Sequence, residues 1–99
     1  MHNMVYLIGR IVELRDDNVR IAVQRSYKNE DGIYETDFIR CILWNGIATN
    51  TAEYCKRGDL VGVKGRLQTR KYEVNEEVKY ITEVIVDRIS FLASKKGEQ

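Results

Sequence analysis

Apolar residues recur at every second position along most of this 99-residue chain, and their spacing becomes helical only once. Alternation is typical of half-buried strands, whereas a repeat of three to four residues is typical of an amphipathic helix. The helical stripe has four members: Ile47, Thr51, Tyr54 and Cys55. Lys56 and Arg57 then occupy the predicted last turn, where cations are favourable, and Gly58 follows as a stop signal. The chain is therefore expected to be mostly β with one helix.

Three alternating segments precede this helix and two follow it. They cover residues 4–12, 19–24, 34–44, 61–68 and 80–92. Turn signals separate the strands, and the clearest is Asp31-Gly32, a dipeptide typical of hairpins. Three strands, a helix and two strands is the order of the OB-fold. We therefore predict an all-β fold: a five-stranded OB-fold barrel with one helix between strands 3 and 4.

The predicted barrel takes up nearly the whole chain. Residues 1–93 form one domain, and residues 94–99 are expected to be a flexible C-terminal tail. A parallel βαβ sheet is disfavoured, because only one helix is predicted and short turns join consecutive strands.

Charge, apolar run lengths and cysteine content restrict the binding surfaces and the cellular compartment that can be expected for this protein. The 16 Lys and Arg residues nearly balance the 15 Asp and Glu residues in charge, so any basic surface must be a local patch. No apolar run approaches the roughly 18 residues of a membrane span, and the N-terminal residues do not resemble a signal peptide. Cys41 and Cys55 are expected to be buried thiols rather than a disulfide. The sequence therefore predicts a cytoplasmic protein without a membrane partner.

No group of residues predicts catalysis. The single histidine, His2, lies at the N-terminus, and the two cysteines form no CxxC pair. The chain contains neither a phosphate-binding Walker loop nor a nucleophile elbow. We therefore expect no enzymatic activity, no cofactor and no metal site.

Aromatic residues interleave with basic ones on predicted strand faces. Phe38, Arg40 and Trp44 share one face of the third strand. Arg70 and Tyr72 share a face of the fourth strand with Lys64 and Arg66. Single-stranded nucleic acid requires this combination, because cations neutralise phosphates and flat rings stack on exposed bases. A purely structural alternative stays open, because aromatic residues favour strands and Phe38 and Trp44 could lie in the core or between subunits.

Tyr27 adds a further aromatic candidate between Arg25 and Lys28. Its parity matches that of Val23, which is predicted to face inward. Tyr27 would therefore reach a ligand only if a bulge intervenes or the strand runs past the barrel.

Five blocks in order resemble the bacterial single-stranded DNA-binding protein (SSB) family, over residues 1–93. They are residues 3–10, 22–27, 36–44, 52–58 and 63–72, followed by a similar last strand at 80–87. The most specific block is 63–72, with Gly65, Arg66, Thr69, Arg70 and Tyr72. The resemblance implies protection of single-stranded DNA in replication, recombination and repair by a homo-oligomer, with a tetramer favoured over a dimer. It places DNA contacts at Tyr27, Phe38, Arg40, Trp44, Arg70, Lys71 and Tyr72, and we expect Lys56 to neutralise a further phosphate.

The sequence departs from this family in two places. The connection between strands 1 and 2 is short, only residues 13–18. The chain also lacks the acidic, hydrophobic-tipped end with which relatives recruit partner enzymes, so no such recruitment is expected. Two alternatives stay open: an OB-fold protein-interaction module of a replication or restart complex, and an RNA-binding protein.

Overall fold

A computed structural model describes residues 1–94 of the chain. Its elements are β1 (Val5–Leu14), β2 (Asn18–Lys28), β3 (Tyr34–Ile42), α1 (Asn45–Tyr54), β4 (Leu60–Val74) and β5 (Glu77–Ala93). The strands close into a barrel in the order β1-β2-β3-β5-β4, and β4 pairs with β1. All pairings are antiparallel except that of β3 with β5. The predicted five-stranded barrel with a helix between strands 3 and 4 is confirmed.

Strand alternation builds the barrel interior. One face of each strand supplies small and β-branched side chains, and the buried hydrophobic core comprises Ile11, Val19, Ile21, Cys41, Leu43, Cys55, Val61, Val63, Val84 and Val86. Both cysteines are free and buried, as predicted. Burial raises the pKa of the Cys41 thiol to about 12, so this thiol is uncharged at neutral pH.

Close backbone approach explains two of the strand glycines. A Cβ on Gly9 would lie 2.5 Å from the carbonyl oxygen of Ala22 in β2. A Cβ on Gly65 would overlap the carbonyl oxygen of Ile85 in β5. Gly65 also lies beside a bulge, because Lys64 pairs with Arg88 and Gly65 pairs with Val86, which leaves Asp87 as the extra residue. These glycines therefore permit the tight curvature of the barrel.

The helix is shorter than its sequence signals indicate. It ends at Tyr54, and Cys55 is already extended, so Lys56 and Arg57 lie beyond the last turn where they were predicted. Asp59 explains this early end, because its buried carboxylate accepts a 2.8 Å hydrogen bond from the backbone N–H of Lys56. Gly58 lies in the resulting loop with φ of 96° and donates to the carbonyl of Ile11. The loop is thereby attached to β1.

Two hairpins extend from the barrel. Asn29 accepts backbone hydrogen bonds from Asp31 and Ile33, and Gly32 has φ of 76°, which confirms the predicted turn between β2 and β3. Strands β4 and β5 continue to a two-residue turn at Asn75 and Glu76. In the described part of the chain, no helix is long and apolar enough to cross a membrane. The predicted tail lies almost entirely at 95–99, outside the described residues, so the expectations about it stay predictions.

Candidate nucleic-acid interface

The outer face of β3 presents Phe38 and Arg40 to solvent. Phe38 is 62% exposed, whereas Cys41, on the opposite face of the same strand, is fully buried. Trp44 follows the end of β3 and is 54% exposed. Both rings therefore lie outside the barrel core, which removes the core alternative for this chain and leaves a ligand or a subunit contact.

Trp44 is held by its polar atom while its ring remains accessible. The indole Nε1–H donates a 2.8 Å hydrogen bond to the backbone carbonyl of Val86. Val86 lies on β5 beside the bulged Asp87. A ring fixed in this way loses little conformational entropy when a base stacks on it.

Strand β4 divides its candidate residues between two faces of the long hairpin. Residues paired directly across an antiparallel ladder share a face. Arg70 pairs with Ile81 and Tyr72 pairs with Lys79, so Arg70 and Tyr72 share one face, as their spacing indicates. This is the outer face, because Arg70 and Arg40 both donate to Glu83. Lys71 pairs with Tyr80 and lies on the opposite face. The structure therefore separates Lys71 from its two neighbours in sequence.

A buried carboxylate on β5 connects the candidate residues of β3 and β4. Arg40 Nη1 donates to Glu83 Oε2 at 2.6 Å, and Arg70 donates through Nε at 3.2 Å and through Nη2 at 2.9 Å. Glu83 is only 5% exposed. The hydrogen bonds from Arg70 hold the pKa of Glu83 below its usual range, with the charges of Arg70 and Arg40 acting in the same direction and burial acting against them. Glu83 is therefore an anion at neutral pH.

Tyr27 is exposed to solvent although its parity matches that of Val23. The β2–β3 register passes from Gln24↔Thr36 to Lys28↔Tyr34, so β2 uses four steps where β3 uses two. Two extra residues leave the alternation of faces unchanged, so this register shift alone does not turn Tyr27 outward. Tyr27 lies beyond Ala22, where the pairing of β2 with β1 ends, so the strand runs past the barrel there and Tyr27 is 63% exposed.

The arginine near Tyr27 is engaged within the protein. Arg25 forms ion pairs of 2.8 Å with Glu35 and with Asp37. Its hydrogen bonds lower the pKa of the Asp37 carboxyl. Lys28 lies 5.7 Å from the centre of the Tyr34 ring. All three guanidinium nitrogens of Arg25 donate to the Glu35 and Asp37 carboxylates, so Arg25 stabilises the β2–β3 hairpin and is a poor candidate for a phosphate contact.

A groove beside Phe38 contains two cations that the sequence interpretation missed. It has a volume of about 660 Å³ and is lined by Val12, Glu13, Leu14, Arg20, Phe38 and Arg57. Arg57, rather than the predicted Lys56, lines this groove. Arg20 could have been found from the sequence, because it alternates with the buried Val19 and Ile21. In the barrel it pairs directly with Arg40.

The assembled surface combines exposed rings with guanidinium groups from strands β2, β3 and β4. Such a surface can stack unpaired bases and hydrogen-bond phosphates. Within residues 1–94, no cluster of three or more His, Cys, Asp or Glu side chains could hold a metal ion.

The family is decided by sequence comparison. The profile of the Single-strand binding protein family matches residues 2–92. The chain belongs to this family. Among its relatives, Single-stranded DNA-binding protein B of Bacillus subtilis is 44% identical over 110 positions, covering 100% of this chain and 97% of that protein. The Single-stranded DNA-binding protein of Oceanobacillus iheyensis is 41% identical over 109 positions, covering 99% and 68%.

Two solved structures share the fold of this chain. The structure titled Plasmodium falciparum SSB complex with ssDNA matches with a TM-score of 0.77 and 26% identity over 93% of this chain and 96% of that one. The small single-stranded DNA-binding protein from Streptomyces coelicolor matches with a TM-score of 0.67 and 22% identity, over 92% and 95%. The resemblance found in the sequence and the OB-fold barrel are thus confirmed.

Proposed function

We propose that this protein binds single-stranded DNA without sequence preference and holds it away from re-annealing and nucleases during replication, recombination and repair. One observation carries the proposal: Glu83 brings Arg40 and Arg70 together on the outer face that also carries Phe38 and Tyr72. Bases stack on the rings while phosphates contact the guanidinium groups. The names of the relatives favour this role over the interaction module.

The proposed contacts form a central set and a peripheral set. The central set is Phe38, Arg40, Trp44, Arg70 and Tyr72, to which we add Arg20 and Arg57 from the groove. The peripheral set is Tyr27, Lys56 and Lys71, whose side chains lie on the β2–β3 hairpin, in the loop after α1 and on the opposite face of the β4–β5 hairpin. We expect substitutions in the central set to weaken binding more. The role is passive: it requires no catalysis, cofactor or metal, and we place it in the cytoplasm.

We also propose that the protein is a homo-oligomer, with a tetramer favoured over a dimer. Tyr6 and Ile8 on the outer face of β1 are 59% and 49% exposed. The ring of Tyr6 covers Gly62, with Leu92 close by. Because β1 pairs with both β2 and β4, this exposed apolar surface is a sheet face rather than a free strand edge.

Titration of labelled oligo-dT against a duplex of equal length tests the function. We expect saturable binding of oligo-dT, much weaker binding of the duplex, and a fall of log K with log salt of about 0.7 per neutralised phosphate. Phe38→Ala should weaken binding by about fivefold to more than a hundredfold, since a stacked base contributes about 1–3 kcal/mol. Tyr54→Ala is the matched control, because Tyr54 is an equally exposed ring on α1. Equal affinity for single strand and duplex would contradict the proposal, and tighter binding of oligo-U would favour RNA.

A further inference from the structure

Glu83 occupies an unusual place for an acidic residue on a surface proposed to bind an anion. Strand β5 lies between β3 and β4 in the barrel. Glu83 is therefore flanked by both strands that supply arginines, and it pairs directly with Gln68 on β4. On the other side, Cys41 pairs with Val84, which places Arg40 next to Glu83. The carboxylate is 5% exposed, whereas the side chains of Arg40 and Arg70 are 39% and 52% exposed.

The hydrogen bonds of this triad leave donors directed elsewhere. A guanidinium group has five N–H donors. Arg40 uses one nitrogen on Glu83 and Arg70 uses two. Both half-exposed arginines therefore retain N–H groups for a phosphate while Glu83 fixes their positions. The two guanidinium groups and one carboxylate together carry a net charge of +1 rather than +2.

We propose that Glu83 is a positioning residue for single-stranded DNA binding, acting through Arg40 and Arg70; this inference rests on the proposed function. Glu83 holds the two guanidinium groups together against their mutual repulsion, at a defined separation on the outer face. It also cancels one of their charges. The pair thus binds the DNA backbone more through oriented hydrogen bonds, and less through net charge, than two free arginines would.

This role has two consequences that substitutions can separate. Glu83→Gln keeps the shape of the side chain but removes the negative charge, so the arginine pair gains one uncompensated positive charge. Glu83→Asp keeps the charge but shortens the side chain by one methylene, so it cannot hold both arginines as before. The first change alters the salt dependence of binding, and the second alters the positions of the guanidinium groups.

The experiment measures oligo-dT affinity against salt for the unaltered chain and both variants, each first shown to be folded by thermal unfolding. For Glu83→Gln, log K should fall more steeply with log salt, by about 0.7. The ratio of the Glu83→Gln affinity to the affinity of the unaltered protein should therefore fall about fivefold for each tenfold rise in salt concentration. At high salt the variant should bind oligo-dT more weakly than the unaltered protein does. For Glu83→Asp, the plot of log K against log salt should be parallel to that of the unaltered protein but displaced to weaker binding. Glu53→Gln removes the same charge from the exposed part of α1 and should leave the slope unchanged.

The outcomes distinguish the positioning role from the function on which it rests. A Gln variant with reduced thermal stability but an unchanged slope would show that Glu83 is merely structural and would overturn the proposal. An Asp variant that coincides with the unaltered protein at all salt concentrations would also overturn it. If the Gln variant does not fold, the Asp variant alone decides. Failure of the unaltered protein to bind oligo-dT would overturn the proposed function and this role together.

Discussion

The indole N–H of Trp44 donates a 2.8 Å hydrogen bond to the backbone carbonyl of Val86, so the junction of β3 and α1 is attached to β5. The bond satisfies the only polar atom of the indole and leaves more than half of the side chain exposed. Trp44 therefore has two separable properties, an anchored N–H and an accessible ring.

Substitution of Trp44 tests these two properties separately. Trp44 is the only tryptophan, so the tryptophan fluorescence of the protein reports on this ring alone. Oligo-dT should quench this fluorescence saturably as a base stacks on the ring, and duplex DNA should quench it far less. Trp44→Ala should weaken oligo-dT binding by about 1–3 kcal/mol. Trp44→Phe keeps a ring but loses the hydrogen bond, so it should lower stability by about 1 kcal/mol and weaken binding less than Ala does. Unchanged emission at saturating oligo-dT would remove Trp44 from the site.

Gly65→Ala should destabilise the barrel, because the new methyl group would overlap the carbonyl oxygen of Ile85. We expect a loss of about 1–3 kcal/mol, typical of overpacking, measured by urea unfolding. Gly46→Ala is the matched control, since its Cβ position has no atom within 4 Å apart from its chain neighbours and the nearby backbone of its own helix, and alanine favours the helix by up to about 1 kcal/mol. Equal effects at the two sites would contradict the close packing at Gly65.

Glu76→Gly should stabilise the β4–β5 hairpin. Asn75 and Glu76 have φ of 52° and 67°, and positive φ at both central residues is typical of a type I′ turn, for which Asn-Gly is preferred. The left-handed conformation costs a residue with a Cβ roughly 1–2 kcal/mol, which exceeds the entropy that glycine adds to the unfolded chain. Thermal unfolding should therefore shift upward for Glu76→Gly and downward for Asn75→Ala. A lower melting temperature for Glu76→Gly would argue against this turn.

The stabilising effect of Glu83 should depend on pH. The pKa of Glu83 is lower in the folded protein than the value of about 4.3 typical of an unfolded chain. Its contribution is therefore fully present above about pH 4.3 and is lost as the pH falls through the folded-state pKa. Glu83→Gln should cost about 1–3 kcal/mol at pH 7, and this difference should shrink in urea unfolding below about pH 4. A difference that is constant with pH would contradict an ionised Glu83.

Replacement of Ile8 by lysine tests the assembly. A charge on the exposed apolar face of β1 should shift the protein toward an 11.6 kDa monomer, as measured by light scattering. Ile33→Lys changes an equally exposed isoleucine at the β2–β3 turn and should leave the assembly intact. A monomeric unaltered protein at micromolar concentration would overturn the oligomer itself.

Most of the fold could be predicted from local patterns. Alternation located every strand, and the single helical stripe located α1, because both signals depend on near neighbours in sequence. Two members of that stripe were misplaced, since Tyr54 is exposed and Cys55 lies beyond the helix. The predicted position of Lys56 and Arg57 in the last helical turn was wrong. The helix ends at Tyr54, and the buried Asp59 carboxylate accepts a hydrogen bond from the backbone N–H of Lys56 in the loop that follows. Strand parity correctly placed Arg70 with Tyr72, and Tyr27 lies where β2 runs past the barrel.

The sequence by itself determined the order of elements, the family, and the shared strand faces of Phe38 with Arg40 and of Arg70 with Tyr72. Trp44, predicted on the same face of the third strand, lies beyond the end of β3. Only the tertiary structure decided which of these residues meet. Closure of the barrel places β5 between β3 and β4, so Glu83 contacts Arg40 and Arg70, from which it is separated by 43 and 13 positions. The tertiary structure also places Arg57, and not Lys56, in the lining of the groove beside Phe38. The physical reason is that strand periodicity fixes the side of the sheet on which a residue lies, whereas long-range pairing fixes its neighbours.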